Sequence, residues 1–374
     1  MSYLHGVDRL SKADGLLKNK RVGLITNPSG LDSAMRPTAA LFHERYSLTA
    51  LYAPEHGIRG NMQAGVVIDD VPDERLGVPV RSLFGTNKPL SLENVDILVY
   101  DIQDIGLRFY TYIYAMTEGM EAAKKAGIPF VVLDRLDPLG LSRTEGTLLD
   151  EKFSSGVGRY AVPSRYGLTP GEFASYVNDV YHIGCELHVI PCAGLTREDD
   201  MFSLGLPFVL PSPNIPTFTS IVSYIGTVLF EGTNLSEGRG TTRPFEMFGA
   251  PWLGGEKLLK FIRGCDFRGA AFREVYFSPT FSKYAGETVN GIDVMITDYK
   301  AFDALRFTLT VIDHIRKEYP SFRFNESNGR FFIDNLLGTD ALRKEDFDVD
   351  RFLDEEKEKV ALFKKRAENY RIYG

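Results

Sequence analysis

Cysteine, tryptophan, basic charge and long apolar runs are all scarce in this 374-residue chain, and each shortage removes a class of protein. Its three cysteines, Cys185, Cys192 and Cys265, are too few and too scattered for a disulfide framework or a zinc cluster. They read as free and buried, with at most one fortuitous pair. No stretch approaches the roughly 20 apolar residues of a bilayer-spanning helix, and the amino-terminal MSYLHGVDRLSKADGLLKNK lacks the apolar segment of an export signal. As written the chain reads as cytoplasmic, or as secreted or periplasmic if a signal has been removed upstream. A net charge of −7 argues against nucleic acid as a partner, because phosphate binding requires a surplus of Lys and Arg. The glycine fingerprint expected after the first strand of a dinucleotide-binding domain is also missing. TNPSG (26–30) stands in its place, so neither a nicotinamide nor any other cofactor is expected.

What is present is ordinary globular composition, 44% hydrophobic and 25% charged, in a chain long enough for two domains. The 26 Phe and 18 Tyr exceed the needs of a small core. Most are assigned to core, and some to a binding surface, since aromatic rings pack against apolar and sugar faces alike.

RVGLITN (21–27), LTALYAP (48–54), VDILVYDIQ (95–103), IPFVVLDR (128–135) and CELHVIP (185–191) are short and nearly continuously apolar. That is the signature of parallel strands buried on both faces. TAALFHERY (38–46) and TYIYAMTEGMEAAKKAG (111–127) carry helical spacing between them, the second closing on Gly127. The alternation predicts an α/β fold: a Rossmann-like, doubly wound, mostly parallel sheet over residues 1–190 that carries the catalytic site. Between Gly205 and Trp252, Pro, Gly, Asn and Ser are dense enough to predict irregular backbone, so 191–255 is expected to be an ordered loop region roofing a cleft. Helical and strand patterns in 256–374 predict a smaller α/β auxiliary domain.

Three segments concentrate polar groups where strands end, the position at which ligands bind open α/β sheets. In PEHGIRG (54–60), Glu55, His56 and Arg59 follow an apolar strand. A carboxyl group there is partly desolvated, which suits Glu55 to hold a proton as a general acid. In YDIQDIGLRFYTY (100–112), Asp101, Gln103, Asp104, Arg108 and Tyr110 end a second strand, with alternation directing Asp101 and Gln103 to one face. In EGTNLSEGRGTTRPFE (231–246), Glu231, Asn234, Glu237, Arg239 and Arg243 are interleaved with glycines that let backbone and side-chain donors approach a polar ligand. Asn214 is the polar tip of the stiff PSPNIPT loop (211–217), whereas Asp134 and Asp137 in LDRLDP read as much like a turn as a site.

PEHGIRG, DIQDIGLRFYTY, VVLDRLDP, PSPNIPT and EGTNLSEGRGTTRPFE, in that order, resemble the hallmark segments of the exo-β-N-acetylmuramidase (NamZ-type) glycoside hydrolases. The resemblance runs from about Val22 to Trp252 and more loosely beyond. It implies release of N-acetylmuramic acid from the non-reducing end of peptidoglycan fragments or muropeptides, with Glu55 as the catalytic glutamate. His56 and Asp101 are expected beside it. Arg59, Gln103, Asp104, Arg108, Tyr110, Asn214, Asn234, Glu237 and Arg239 are expected to bind substrate. Asp101, Asp104 or Glu237 is expected to stabilise the oxocarbenium-like centre or to orient the acetamido group. One of Arg59, Arg108 and Arg239 is expected to take the lactyl carboxylate. The family usually has His before the Gly of its next turn, whereas SRYGLTPGE carries Tyr166. Two alternatives stand beside this expectation: a non-catalytic muropeptide-binding protein, and a metal-dependent hydrolase built on His56, Asp101 and Asp104.

Overall fold

The computed structural model describes residues 3–62, 72–83 and 90–374. In chain order the strands of the first half are β1 (Arg21–Thr26), β2 (Ser47–Ala53), β3 (Val80–Ser82), β4 (Ile97–Asp101), β5 (Phe130–Leu133), β6 (Glu145–Leu148), β7 (Pro163–Arg165) and β8 (Leu187–Ile190). The second half adds β9 (Met247–Ala250), β10 (Ala270–Phe277) and β11 (Val289–Ile296). The helices are α1 (Asp14–Leu17), α2 (Thr38–Arg45), α3 (Tyr112–Ala126), α4 (Pro170–Val180), α5 (Phe218–Thr227), α6 (Gly255–Arg263), α7 (Ala304–Glu318), α8 (Phe332–Leu337) and α9 (Val349–Ala367).

Six strands form one sheet in the order β3-β2-β1-β4-β5-β8, with every neighbouring pair parallel. All five residues of β4 and all but Arg21 of β1 are buried, which is why these segments carry no polar alternation. The chain winds outward from β1 to β3, then crosses to β4 and winds the other way. The switch between β1 and β4 opens the crevice in which such sheets hold ligands. Helix α3 ends, as expected, on Gly127 in the left-handed conformation (φ 69°).

The smaller sheet is antiparallel, β10-β11-β9, and packs against α5 and α6, with α7 lying on α5. Helix α5 corrects the expectation that 191–255 is irregular. It opens with a capping box between Thr217 and Ser220 and is buried along nearly its whole length. A helix buried on nearly every side, with Ser and Thr among its inward residues, shows no clear amphipathic stripe, and its flanking prolines and glycines mask it. Strands β3, β6, β7 and β9, each of four residues or fewer, are too short to show a period.

The carboxyl terminus returns to the first sheet. Helix α9 packs on β6, where Glu356 accepts from the Leu148 amide at 2.8 Å. Tyr373 donates its hydroxyl to Asp134 at 2.6 Å. All three cysteines are free, Cys185 and Cys192 buried and Cys265 half-buried.

Candidate active site

Beyond β2 the chain reverses at once: the Gly57 amide donates to the Pro54 carbonyl at 3.0 Å. The turn forces His56 into the left-handed region (φ 73°), a conformation that non-glycine residues rarely hold without a compensating role. The buried His56 ring places Nδ1 2.8 Å from the Met62 carbonyl, which can only accept. Burial, with a smaller push from Arg239, lowers the His56 pKa against the opposing pull of Met62 and Glu55. The ring is therefore neutral at neutral pH, with Nδ1 donating and Nε2 left as an acceptor.

Glu55 is half-buried, and its Oε2 accepts from the Thr111 hydroxyl at 2.9 Å. Thr111 is the residue preceding α3, yet its hydroxyl makes no cap to the helix. It is spent on Glu55 instead, at the positive end of the helix dipole.

Glu55 and His56 form one side of a cavity of about 190 Å³ whose other walls include Tyr110, Thr111, Tyr112, Asn214, Tyr224, Glu231, Arg239 and Phe245. The aromatic lining is interlocked: Tyr110 meets Tyr112 edge-on at 4.9 Å, and Tyr224 meets Phe245 at 4.5 Å. Phe245, like His56, is a non-glycine residue at positive φ (65°), so both strained residues face this cavity. Arg239 reaches the wall between Gly238 and Gly240, each at φ 81°. A Cβ on Gly240 would lie 2.5 Å from the Phe281 carbonyl oxygen, so only glycine fits.

Arg239 donates Nε at 2.9 Å and Nη2 at 2.6 Å to Oε1 of Glu231, and lies 5.0 Å over the Phe245 ring. Burial and then Glu237 push the Glu231 carboxyl up, against the pull of Arg239. Glu237 approaches Arg239 Nε at 3.5 Å but is fully engaged behind it, accepting from Lys283 at 3.0 Å.

Of the residues expected in the site, Glu55, His56, Tyr110, Asn214 and Arg239 meet at this cavity. The others do not line it. Asp101 is completely buried and held by Arg135 through Nε at 2.6 Å and Nη2 at 2.9 Å, with Thr38 as a third donor. Gln103 does share the face of Asp101, but the face turns towards the loop after β5: its amide donates to the Leu136 carbonyl at 2.8 Å. Asp104 is buried, accepts from Tyr166 and from the Gly106 amide, and is pushed up to about 6 by burial. Arg108 is fully buried and donates to the carbonyls of Leu336 and Leu337 at 3.0 and 3.1 Å. Arg59 is half exposed and pairs with Asp73. Asn234 bridges the backbone of Ser321 and Arg323, each at 2.8 Å. Glu237 stands behind the wall rather than in it. His56, Asp101 and Asp104 thus have separate partners, and among the described residues no group of three His, Cys, Asp or Glu could hold a metal ion.

Thr111 and Tyr224 are among the cavity residues that the sequence did not single out, and Glu231, noted within its segment, was not among the residues expected to bind substrate. A Thr directly before a predicted helix at a strand-end site was a usable signal for the first. Tyr224 was hidden with α5, and nothing local separates Glu231 from Glu237. Tyr166 is buried against Asp104 and not at the cavity.

Comparison with known proteins completes the description. Two family models match consecutive stretches of the chain: exo-beta-N-acetylmuramidase NamZ, N-terminal, over residues 22–219, and its C-terminal counterpart over residues 222–373. The chain is 43% identical over 366 residues to the peptidoglycan beta-N-acetylmuramidase NamZ of Bacillus subtilis (strain 168), spanning 96% of this chain and 88% of that one. Two crystal structures of DUF1343 family proteins from Bacteroides fragilis NCTC 9343 each align over 100% of this chain and 99% of theirs. One has a TM-score of 0.89 at 33% identity, the other 0.78 at 30%.

Proposed function

The chain belongs to the exo-β-N-acetylmuramidase NamZ family, and from that premise we propose that it releases terminal β-linked N-acetylmuramic acid from peptidoglycan fragments with Glu55 as the proton donor. One observation carries the residue assignment: Glu55 is held by Thr111 on the wall of the cavity at the carboxyl end of the sheet. Glycosidic cleavage needs an acid on the leaving oxygen, together with a second carboxylate or the substrate's own 2-acetamido group to stabilise the oxocarbenium-like centre. Glu55 takes the first role. Among the described residues Glu231 is the other carboxylate on that wall, replacing Asp101, Asp104 and Glu237 as the second acidic group near the sugar. Neutral His56, with Nε2 free to accept, and Asn214 supply polar contacts to the ring substituents. Tyr110, Tyr112 and Tyr224 supply the apolar faces against which a pyranose packs.

The test is the Glu55→Gln variant on a chromogenic β-N-acetylmuramide. Turnover is expected to vanish while the circular dichroism spectrum and melting temperature hold; near-normal turnover overturns the assignment. Mass spectrometry of the products from a disaccharide of N-acetylmuramic acid and N-acetylglucosamine checks the direction of attack. Liberated N-acetylmuramic acid from the non-reducing end is expected.

A further inference from the structure

We propose that Arg239, positioned by the buried carboxyl group of Glu231, is the anion receptor by which the cavity selects a sugar bearing an acidic ether substituent over its neutral counterpart. The inference rests on the glycosidase reading above and names the feature of the substrate that the site recognises.

Four arginines occur in the three polar segments that surround the crevice, and the structure commits three of them elsewhere: Arg59 to Asp73, Arg108 to the carbonyls that end α8, and Arg243 to Glu246 and Asp293. Arg239 alone of the four lines the cavity with Glu55. Its hydrogen bonds are one-sided. Nε and Nη2 both converge on a single oxygen of Glu231, at 2.9 and 2.6 Å, while Phe245 covers one face of the guanidinium. Among the described residues the edge formed by Nη1 and the second hydrogen of Nη2 has no hydrogen-bond partner, and that edge has the fork spacing that binds a carboxylate through two parallel hydrogen bonds.

The charges behind Arg239 are arranged to keep it receptive. Glu237, the nearer competitor, is answered by Lys283 at 3.0 Å. The guanidinium itself stays cationic: burial opposes the charge, but the carboxyl groups of Glu231 and Glu237 outweigh it. The left-handed glycines on either side fix where the side chain leaves the backbone, so little ordering remains to be done when an anion arrives. N-acetylmuramic acid differs from N-acetylglucosamine by a lactyl ether whose carboxylate is ionised at neutral pH. A cation held at the wall of an otherwise aromatic cavity discriminates between the two.

The experiment compares three chromogenic substrates with one leaving group: the β-N-acetylmuramide, its lactyl methyl ester and the β-N-acetylglucosaminide. For the unmodified enzyme, kcat/KM is expected to fall on the order of 100-fold from acid to ester, the scale of losing a buried charged partner. Arg239→Gln is expected to bring the acid-to-ester ratio close to one, with the loss on the acid falling mainly in KM, and Arg239→Lys to restore part of the preference. Glu231→Gln is expected to raise KM for the acid and to lower the same ratio. A ratio that stays at its original value in Arg239→Gln, or equal losses on acid and ester, overturns the proposal. Glu55→Gln separates this from the reading beneath it. That variant is expected to be silent on all three substrates, and if it turns them over it is the proton-donor assignment that fails, whatever Arg239 does.

Discussion

The Thr111 hydroxyl donates to Glu55 at 2.9 Å, joining the residue that opens α3 to a carboxyl group 56 positions earlier in the chain. The contact fixes the acid against the end of a rigid helix, where a loop alone would leave it to wander. Thr111→Val keeps the shape and removes the donor. A single hydrogen bond to a side chain contributes about 0.5–1.5 kcal/mol, so kcat is expected to fall by up to about tenfold with the melting temperature little changed. Thr111→Ser is expected to retain most of the rate. Steady-state kinetics on the chromogenic muramide checks both.

Asp101 and Arg135 form a buried pair at the end of β4, and we propose that its role is architectural. Asp101→Asn leaves the guanidinium without its counter-charge. Breaking a buried pair from one side costs about 3–5 kcal/mol, so urea denaturation is expected to show a loss of that size. Activity per folded molecule, measured well below the transition, is expected to stay near that of the unmodified protein. A selective loss of kcat without loss of stability would return Asp101 to the catalytic machinery.

Burial raises three carboxyl groups beneath the site, Asp104 and Asp134 to about 6 and Asp137 to about 7. Each binds its proton more tightly in the folded chain than at the ordinary value of 3.8. The stability they contribute is complete below that ordinary value and is lost as pH rises through 6 to 7. Thermal melts from acid to neutral pH are expected to fall across this window for these groups' share. Asp137 Oδ2 has no hydrogen-bond partner among the described residues, so Asp137→Asn is expected to flatten the slope and raise the melting temperature at the upper end. A slope unchanged by the substitution contradicts the assignment.

The parallel sheet was legible because strands buried on both faces must be apolar throughout, and five of its six strands lie within apolar runs that extend past the strand ends. The site was half legible. Glu55 and His56 stand out because a strand ends on them inside a glycine turn. Asp101 and Arg108 carried the same signal and mean something else, since a polar group at a strand end either faces the crevice or fastens a neighbouring loop. What decides between those outcomes for Asp101 is Arg135, on the next strand's exit, and for Arg108 it is two carbonyls more than two hundred residues away. Neither partner leaves a mark in the local pattern. Thr111 was overlooked for the converse reason: a threonine before a helix is normally its cap, and here it serves a different segment.

Arg108 ties the two matched halves of the chain to each other. Its guanidinium, drawn from the first half, seals the last carbonyls of α8 in the second, and α8 in turn contributes Phe332 and Leu336 to the cavity wall. Separated from its counterpart, the first half would expose a bare guanidinium and the second a frayed helix end. Recombination between distant relatives therefore preserves the pocket only when the cut keeps both sides of this contact from one parent.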